Sequence, residues 1–413
     1  MRIATVFLLA LTTAAMADDW PQWRGPNRTD VSGETGLLKQ WAEGGPKKVW
    51  TFDKAGLGYA GFAVVGDHLY SQGAEDSRSF AFCVNVKNGE RVWQTPVTDR
   101  YNNRWGDGPR STPTVDGDHV YCMFSKGTVA CLNRNDGKVV WKKSMLDFGG
   151  EVQTWGYSES VLVDGDNVIC TPGGKKGTLL ALNKMTGETV WQSSELTLPC
   201  QYPSMVKATI NGTPQYIQMA GEMRTGKQAI AGIRTSDGKL LWQSDWPGRI
   251  ATIPTPIVRG NRVYVSSGYG TGSKLIEIGG DNSVKELWVN KVMKNHHGGV
   301  IELAGHLYGY SDGPGWICQS METGEMLWNE KSALSKGAIG YADGRFYLVE
   351  EKSGTVVLID AAKEGWKERG RFVLQPQTKR RKPQGKVWVH PVISNGKLYL
   401  RDQEYIYCFD VKA

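Results

Sequence analysis

The feature that most constrains the fold is a repeat of about 40–50 residues that ends in tryptophan. Its clearest copy runs from Ser111 to Trp141. Four short runs in this copy alternate apolar and polar residues or are rich in Val and Tyr, and turn residues such as Asn135-Asp136-Gly137 separate them. Runs of period two bounded by Gly, Asp and Asn are typical of strands joined by hairpins. The repeat unit is therefore predicted to be a four-stranded antiparallel meander.

The same ending recurs along the chain at near-equal spacing. In five copies a glycine stands four residues before the tryptophan, at Gly89, Gly137, Gly187, Gly238 and Gly324. Four-stranded repeats of this period are typical of propeller blades. The chain is therefore predicted to be all-β, an eight-bladed β-propeller of four-stranded antiparallel blades. The tryptophans taken as blade ends are Trp50, Trp93, Trp141, Trp191, Trp242, Trp288, Trp328 and Trp366.

The two ends of the chain are predicted to close the ring together. Lys47–Phe52 reads as a lone strand, whereas Pro391–Asp410 supplies only three strands. Joining them completes the last blade and removes the exposed edges of an open ring. The predicted propeller spans residues 47–413. Residues 18–46 form an N-terminal arm, which we interpret as a packing cap because its tryptophans are large apolar side chains.

The first 17 residues are predicted to be a secretory signal peptide. Arg2 precedes an apolar run, and Ala15-Met16-Ala17 fits an A-x-A cleavage pattern. The run is too short to span a bilayer, and the first cysteine is Cys83, so no membrane anchor is expected. We therefore expect an exported monomer, periplasmic or extracellular.

The net charge of +7 over 413 residues is a mild excess that affects solubility more than partner choice. Four consecutive basic residues stand at Lys379–Lys382. In an exported protein such a run is interpreted as a solvated loop, so no nucleic-acid partner is expected.

The seven cysteines follow the repeat. Cys83 and Cys131 each stand ten residues before a blade-ending tryptophan, where another blade has Ala181. A position shared by Cys and Ala requires a small apolar side chain, and free Cys behaves as one. One disulfide stays open as an alternative. If Lys126-Gly127 form a two-residue turn, Cys122 faces Cys131 where side chains approach most closely.

The blade ending from Ala181 to Trp191 resembles the tryptophan-docking motif of pyrroloquinoline quinone (PQQ) repeats, A-x-D-x-x-T-G-K-x-x-W, with Asn183 and Glu188 in place of Asp and Lys. The run Trp20–Trp23 resembles the W-P-x-aromatic start of quinoprotein dehydrogenases. The resemblance covers essentially the whole mature chain and implies a propeller fold. The family includes PQQ-dependent alcohol and sugar dehydrogenases and also cofactor-free scaffolds such as BamB. Its alcohol dehydrogenases typically carry a disulfide between adjacent cysteines over the cofactor, and this chain has no Cys-Cys pair.

The long connections between blades are predicted to form the functional site. Because antiparallel strands alternate in direction, these connections gather on one face, around the mouth of the central channel. Loops on a rigid scaffold around a concave mouth are a common place for ligand binding. The connections are rich in polar and aromatic groups, and the predicted binding residues are Asn103, Arg104, Trp105, Arg110, Trp155, Tyr202, His297, Trp388 and His390.

Two functions fit this description. The first, which we favour, is a binding or scaffold protein without a cofactor, which takes a protein, a polysaccharide or a small molecule at the channel mouth. The second is a PQQ- and Ca²⁺-dependent dehydrogenase that oxidises an alcohol or sugar. A quinone with several carboxylates requires Arg partners, aromatic stacking and a hard cation held by oxygen ligands. Under the second hypothesis, Glu159 and Asn103 are the metal candidates, and Asp107 or Glu159 is the carboxylate base. A turn role for Asp107 and a wall role for Glu159 are the favoured alternatives.

Overall fold

Each repeat forms one antiparallel sheet, and the sheets are arranged as the eight blades of a β-propeller. The computed structural model describes residues 19–223 and 225–413, so the predicted signal peptide lies outside the described residues. Within those ranges one short 3₁₀ helix, Met145–Phe148, interrupts the strands. No helix in the same ranges is long and apolar enough to cross a bilayer.

The blades have four strands each, which alternate in direction from the channel to the rim. In order of blades they are Ala63–Val65, His68–Glu75, Arg78–Asn85 and Arg91–Asp99; Thr114–Asp116, His119–Met123, Thr128–Asn133 and Val139–Ser144; Leu162–Asp164, Asn167–Cys170, Leu180–Asn183 and Thr189–Gln192; Val206–Ile210, Thr213–Gly221, Gln228–Arg234 and Leu240–Trp246; Ile257–Arg259, Arg262–Ser267, Gly272–Ile278 and Val284–Asn290; Val300–Leu303, His306–Ser311, Gly315–Ser320 and Met326–Glu330; Gly337–Ala342, Arg345–Glu350, Thr355–Asp360 and Glu368–Val373; and Val392–Ser394, Lys397–Asp402, Tyr405–Asp410 and Lys47–Phe52.

The ring is closed by the two ends of the chain, as predicted. Lys47–Phe52 pairs antiparallel with Tyr405–Asp410, and Trp50 lies opposite Cys408. The N-terminal strand is thus the outermost strand of the eighth blade. Because the chain continues from this strand into the first blade, the backbone hydrogen bonds within the eighth blade hold the two ends of the chain together.

The tryptophan near the end of most blades packs against the next blade. The Trp141 side chain is 8% exposed, and its indole nitrogen donates a hydrogen bond to the Lys184 carbonyl (2.9 Å). A Cβ on Gly187 would lie 2.8 Å from the Trp141 ring, and this glycine has φ +71°. The glycine of the T-G turn is therefore required both by its left-handed backbone and by the ring against it. The same contact joins Trp50 with Gly89, Trp93 with Gly137, Trp191 with Gly238 and Trp288 with Gly324.

The seventh blade obtains its tryptophan from the N-terminal arm, which corrects the assignment of Trp366 as a blade end. Trp366 precedes the outer strand Glu368–Val373, and the position equivalent to the other tryptophans is Gly370. Trp41 fills the space, since a Cβ on Gly370 would lie 2.7 Å from the Trp41 Cβ. The Trp41 ring lies 5.9 Å from Tyr347, in the way that Trp141 lies 6.2 Å from Tyr121. The number of blades is unchanged.

The arm also crosses the channel. Trp20 bridges to Val64 of the first blade, and Val31–Ser32 pairs in parallel with the innermost strand of the seventh. Between them, the buried Arg28 guanidinium donates to the backbone carbonyls of Val161 and Met205. Burial lowers the pKa of Arg28 to about 10, while the charge of Glu159 opposes this shift. The arm is therefore packed against the propeller, and the place where it packs is across the channel.

The cysteines contradict the disulfide alternative. The hairpin turn runs from Phe124 to Thr128, with the Phe124 N–H donating to the Thr128 carbonyl (2.8 Å). This places Cys131 opposite Tyr121 and not opposite Cys122. Cys122 and Cys131 therefore point to opposite faces of the sheet, because side chains alternate along a strand. All seven cysteines are free and buried.

Thiol titration in denaturant under non-reducing conditions is expected to find all seven cysteines of the chain reactive. In the folded protein they are expected to react slowly, because each is buried. If only five thiols reacted in the denatured protein and a reductant restored all seven, the register of this hairpin would be wrong.

Substitution of Trp41 by Ala is expected to cost about 3–5 kcal/mol of unfolding free energy, because it removes a buried aromatic side chain and leaves a cavity between blades. Trp366→Ala is the matched control. Its side chain is only half-buried, so the expected cost is about 1–2 kcal/mol. Urea unfolding followed by circular dichroism measures both free energies. A larger loss of stability for Trp366→Ala than for Trp41→Ala would contradict the assignment of Trp41 as the tryptophan of the seventh blade.

Candidate functional site

A cavity of about 210 Å³ opens where the connections between blades surround the channel. Trp23 and Arg24 of the arm line it. A second cavity, of about 460 Å³, shares only Arg24 with the first and is bordered by the arm residues Asn27–Thr29. The arm therefore separates the two spaces. The other residues that line the first cavity are Tyr59, Gly61, Trp105, Arg110, Trp155, Ser158, Ser160, Tyr202, Ser204, Ile253, Pro254, Thr255, Tyr269, His296, His297, Gly299, Trp388, Val389 and His390.

One wall of the cavity consists of three aromatic side chains from the connections before blades two, three and four. Trp105 contacts Trp155 edge-on with ring centroids 5.4 Å apart, and Trp155 contacts Tyr202 at 5.6 Å. Edge-on contacts of this kind fix the ring orientations. The three predicted aromatic residues on this side are thus brought together.

A second row of rings continues the lining. Tyr59 lies 4.9 Å from Trp388, Trp388 lies 5.2 Å from His297, and His297 stacks on His296 at 4.6 Å. Tyr269, from the middle turn of blade five, ends the row with an edge-on contact to His296 at 4.3 Å. The two rows make the cavity predominantly aromatic.

His297 is held by a carboxylate behind the wall. Its Nε2 lies 3.2 Å from Glu351 Oε2, which also accepts a hydrogen bond from the Trp388 indole (3.1 Å). Burial lowers the pKa of His297 although Glu351 opposes the shift. Burial opposes ionisation of Glu351, yet the hydrogen bond from His297 keeps the pKa of Glu351 below its ordinary value. Glu351 therefore orients the His297 ring through Nε2.

The other two histidines are also oriented by polar partners. Lys336 lies 2.8 Å from Nδ1 of His296 and pairs with Asp312 (2.7 Å). Burial lowers the pKa of His296 to about 2, and the nearby charges of His297 and Lys336 act in the same direction. Because an ammonium group only donates, Nδ1 of the neutral His296 accepts and Nε2 carries the proton. His390 lies between Asp30 (3.0 Å) and the His297 carbonyl (2.8 Å).

Arg110 is the cation in the wall. Its Nε donates to the Trp155 carbonyl (2.6 Å) and its Nη2 to the Gly106 carbonyl (2.8 Å). The guanidinium carbon lies 5.2 Å from the centre of the Tyr59 ring. Burial lowers the pKa of Arg110, and the surrounding tyrosines oppose this shift. The predicted residue Arg104, in contrast, stacks on Trp105 at 3.8 Å outside the cavity lining.

Asn103 and Asp107 lie in the turn that supports Trp105, outside the lining. The Asp107 carboxylate accepts from the Asn103 N–H (2.8 Å) and pairs with Lys382 (2.8 Å). The Asn103 side-chain oxygen accepts from the Trp105 N–H (3.0 Å). Both side chains are thus engaged in closing a turn, and their roles in catalysis or metal binding stay predictions.

Glu159 lies in the wall of the third blade and is 2% exposed. Its carboxylate accepts hydrogen bonds from the Thr171 N–H and hydroxyl, both at 2.7 Å, and from the Gln218 amide (3.2 Å). Burial raises the pKa of Glu159 to about 7, although the bonds from Thr171 and the charge of Arg28 oppose the shift. It does not line the cavity. Its predicted catalytic and metal-binding roles likewise stay predictions.

The basic run lies in a surface loop in which Lys379 and Arg380 are exposed, but most of its charges are paired. Arg380 pairs with Glu75 at 2.6 Å, and Arg381 pairs with the buried Asp402 at 2.6 Å. With the Lys382 ion pair described above, three of its four charges are neutralised by carboxylates. The run therefore fastens the loop before the last blade to neighbouring blades.

The calcium–quinone centre of the second hypothesis does not fit this cavity. None of the residues that line it is Asp or Glu. No group of three or more His, Cys, Asp or Glu in residues 19–223 and 225–413 is arranged to hold a metal ion. A hard cation prefers carboxylate oxygens, and a dehydrogenase base of this type also requires a carboxylate.

Several residues of the site were missed by the sequence analysis. Trp23 and Arg24 belong to the arm, and Tyr269 belongs to a turn within a blade. Glu351 follows a strand of the seventh blade. The aromatic W-P-x-W run was the one signal that could have pointed to Trp23, whereas Glu351 has no local signal because only folding brings it to His297.

Glu159→Gln is expected to remove a pH dependence of stability. Because folding raises the pKa of this acid, its ionisation weakens the folded state, so stability is greatest at low pH and is lost as pH rises toward 7 and above. Between pH 5 and pH 8 the wild type is expected to lose about 1–3 kcal/mol relative to the variant. Urea unfolding at several pH values measures this, and Glu188→Gln, an exposed site in the same blade, is the control. Parallel curves for wild type and Glu159→Gln would contradict the assignment.

Comparison with known structures agrees with the propeller. BamB from Moraxella catarrhalis is 15% identical, with 88% of this chain and 99% of that chain covered and a TM-score of 0.60. The quinohemoprotein alcohol dehydrogenase from Comamonas testosteroni is 13% identical, with 96% and 81% covered and a TM-score of 0.64. The computationally designed protein Ika8 is 11% identical, with 88% and 100% covered and a TM-score of 0.59. At these identities the likeness shows the fold alone.

A comparison with curated protein sequences finds no match. The sequence profile of the PQQ-type family described as outer membrane protein assembly factor BamB matches residues 34–142 and 77–330, which together exceed half of the chain. The chain therefore belongs to this family of PQQ-like β-propellers.

Proposed function

We propose that the protein binds a small organic molecule in the channel cavity and performs no redox chemistry of its own. The observation that carries the proposal is a concave, predominantly aromatic cavity with fixed polar groups and no carboxylate in its lining. Such cavities are the usual form of small-molecule sites in proteins. The side chains are oriented before any ligand arrives, which lowers the entropic cost of binding.

A small molecule is favoured over a protein or polysaccharide partner because the cavity has a floor. Trp23 and Arg24 of the arm line its base, and the Trp23 ring lies 4.6 Å from His390. Trp23 also donates a hydrogen bond to the Thr255 hydroxyl (3.1 Å). A space of about 210 Å³ with a floor suits a single ring system better than a chain that passes through the channel.

We further propose that the protein is exported to the periplasm or the extracellular space and acts as a monomer. The supporting features are the predicted leader at residues 1–17 and the family description, which refers to the outer membrane. Cell fractionation with an antibody to the mature chain tests this proposal, and retention in the cytoplasm would overturn it.

A broad screen of small metabolites tests the binding function. Thermal shift and intrinsic fluorescence are suitable because four tryptophans line the cavity. We expect at least one compound to bind in the micromolar range, and Trp388→Ala to weaken it at least about 10-fold because it removes the centre of one wall. Trp366→Ala, which changes a tryptophan outside the cavity lining, is the control. If every hit binds Trp388→Ala as well as the wild type, the site is elsewhere.

Reconstitution with PQQ and Ca²⁺ separates the two functions. Dye reduction with a panel of alcohols and aldoses is expected to stay at background, because the lining provides no carboxylate for a metal or a base. Substrate-dependent dye reduction that requires Ca²⁺ would overturn the proposal and restore the dehydrogenase hypothesis.

A further inference from the structure

The cavity carries a positive charge at one end. The Arg110 guanidinium is compensated by the carbonyls of Trp155 and Gly106 and by the face of Tyr59, and it has no ion pair within residues 19–223 and 225–413. Its Nη1 makes no hydrogen bond within the same residues. An Arg in such surroundings retains donors that suit a carboxylate.

The carboxylate whose charge acts on Arg110 is already neutralised, and so is the carboxylate that holds His390. Asp107 pairs with Lys382 at 2.8 Å, and Asp30 pairs with Arg24 at 2.7 Å. The charge of Arg110 is therefore not cancelled by its surroundings, and the cavity favours an anion over a cation despite its aromatic walls. A quaternary ammonium ligand, which aromatic rings alone would suit, is disfavoured by the same charge.

The other end of the cavity offers an acceptor. Nε2 of His297 lies 3.2 Å from Glu351, and within residues 19–223 and 225–413 no hydrogen bond engages Nδ1 of this ring. A proton held at Nε2 by the carboxylate leaves Nδ1 to accept a hydrogen bond from a ligand. Two rings separate His297 from Arg110 along the wall, namely Trp388 and Tyr59. The site therefore has an anion-binding end and a hydroxyl-binding end, with ring faces between them.

We propose that the ligand is a single-ring organic acid, whose carboxylate binds Arg110, whose ring stacks on Tyr59 and Trp388, and whose hydroxyl donates to His297. This inference rests on the proposed function and names its ligand class. Two kinds of compound fit this ligand class, namely a hydroxylated aromatic acid and a uronic acid sugar. Both carry a carboxylate and a hydroxyl on opposite sides of one ring.

Isothermal titration calorimetry with two matched pairs tests the proposal. The pairs are 4-hydroxybenzoate with 4-hydroxybenzyl alcohol, and D-glucuronate with D-glucose. In at least one pair we expect the acid to bind at least about 10-fold more tightly than the neutral partner, because a charge-assisted hydrogen bond to the guanidinium is lost in the latter. The pair that shows the difference identifies the source. The affinity of the acid is expected to fall as salt is raised.

Two variants locate the charge. Arg110→Met is expected to abolish the preference for the acid, whereas Arg104→Met is expected to leave it unchanged. The second variant is the matched control, because Arg104 is a neighbouring cation that lies outside the lining. If Arg110→Met does not fold, the comparison of acid with neutral partner in the unchanged protein still decides the question.

The acceptor end is tested with benzoate, which lacks the hydroxyl. Benzoate is expected to bind more weakly than 4-hydroxybenzoate, and Glu351→Gln is expected to reduce that difference because a carboxamide holds the His297 proton less firmly. Equal binding of acids and neutral partners, or no binding of any of these probes, would overturn the inferred ligand class. In that case a hit of another class in the broad screen would leave the proposed binding function intact, whereas the absence of any hit would remove both.

Discussion

The packing of the propeller depends on the contact between a tryptophan ring and a glycine of the following blade. The ring of Trp141 lies where a side chain on Gly187 would have to be, and the indole N–H is bonded to the same turn. The ring on one blade can be buried there only because the facing residue on the next blade has no Cβ. Repeated around the ring, this contact sets the spacing of the blades and, with it, the width of the channel.

The N-terminal arm completes the structure in two places where the repeat alone is insufficient. Trp41 supplies the aromatic side chain that the seventh blade lacks at Gly370. Further along the channel, the guanidinium groups of Arg24 and Arg28 donate to backbone carbonyls of several blades, so that buried polar groups are satisfied without a sheet. The same segment forms the floor of the cavity through Trp23. The packing of the blades and the floor of the cavity therefore depend on one stretch of chain.

The chemistry of the cavity follows from which charges reach its surface. Asp107 and Glu159 carry the residue types that a metal or a base requires, but the first is paired with Lys382 and the second is buried against Thr171. The lining consists mainly of aromatic and imidazole rings, with several hydroxyl groups and the guanidinium groups of Arg24 and Arg110, of which Arg24 is paired with Asp30. The proposal of a ligand-binding site is based on this lining, which contains no carboxylate.

The sequence by itself determined the architecture, because period-two strands, turn glycines and evenly spaced tryptophans are local signals that repeat. It also predicted that nine residues of the connections meet at the channel mouth. Of these, Asn103 and Arg104 lie outside the cavity lining, and the lining includes Arg110, Trp105, Trp155, Tyr202, His297, Trp388 and His390. Only the tertiary structure decided that Trp41 replaces Trp366, that Cys122 and Cys131 face apart, and that Glu351 supports His297. Each of these depends either on a one-residue difference in strand register or on a contact between segments that are distant in the chain. Neither produces a periodic pattern in the sequence.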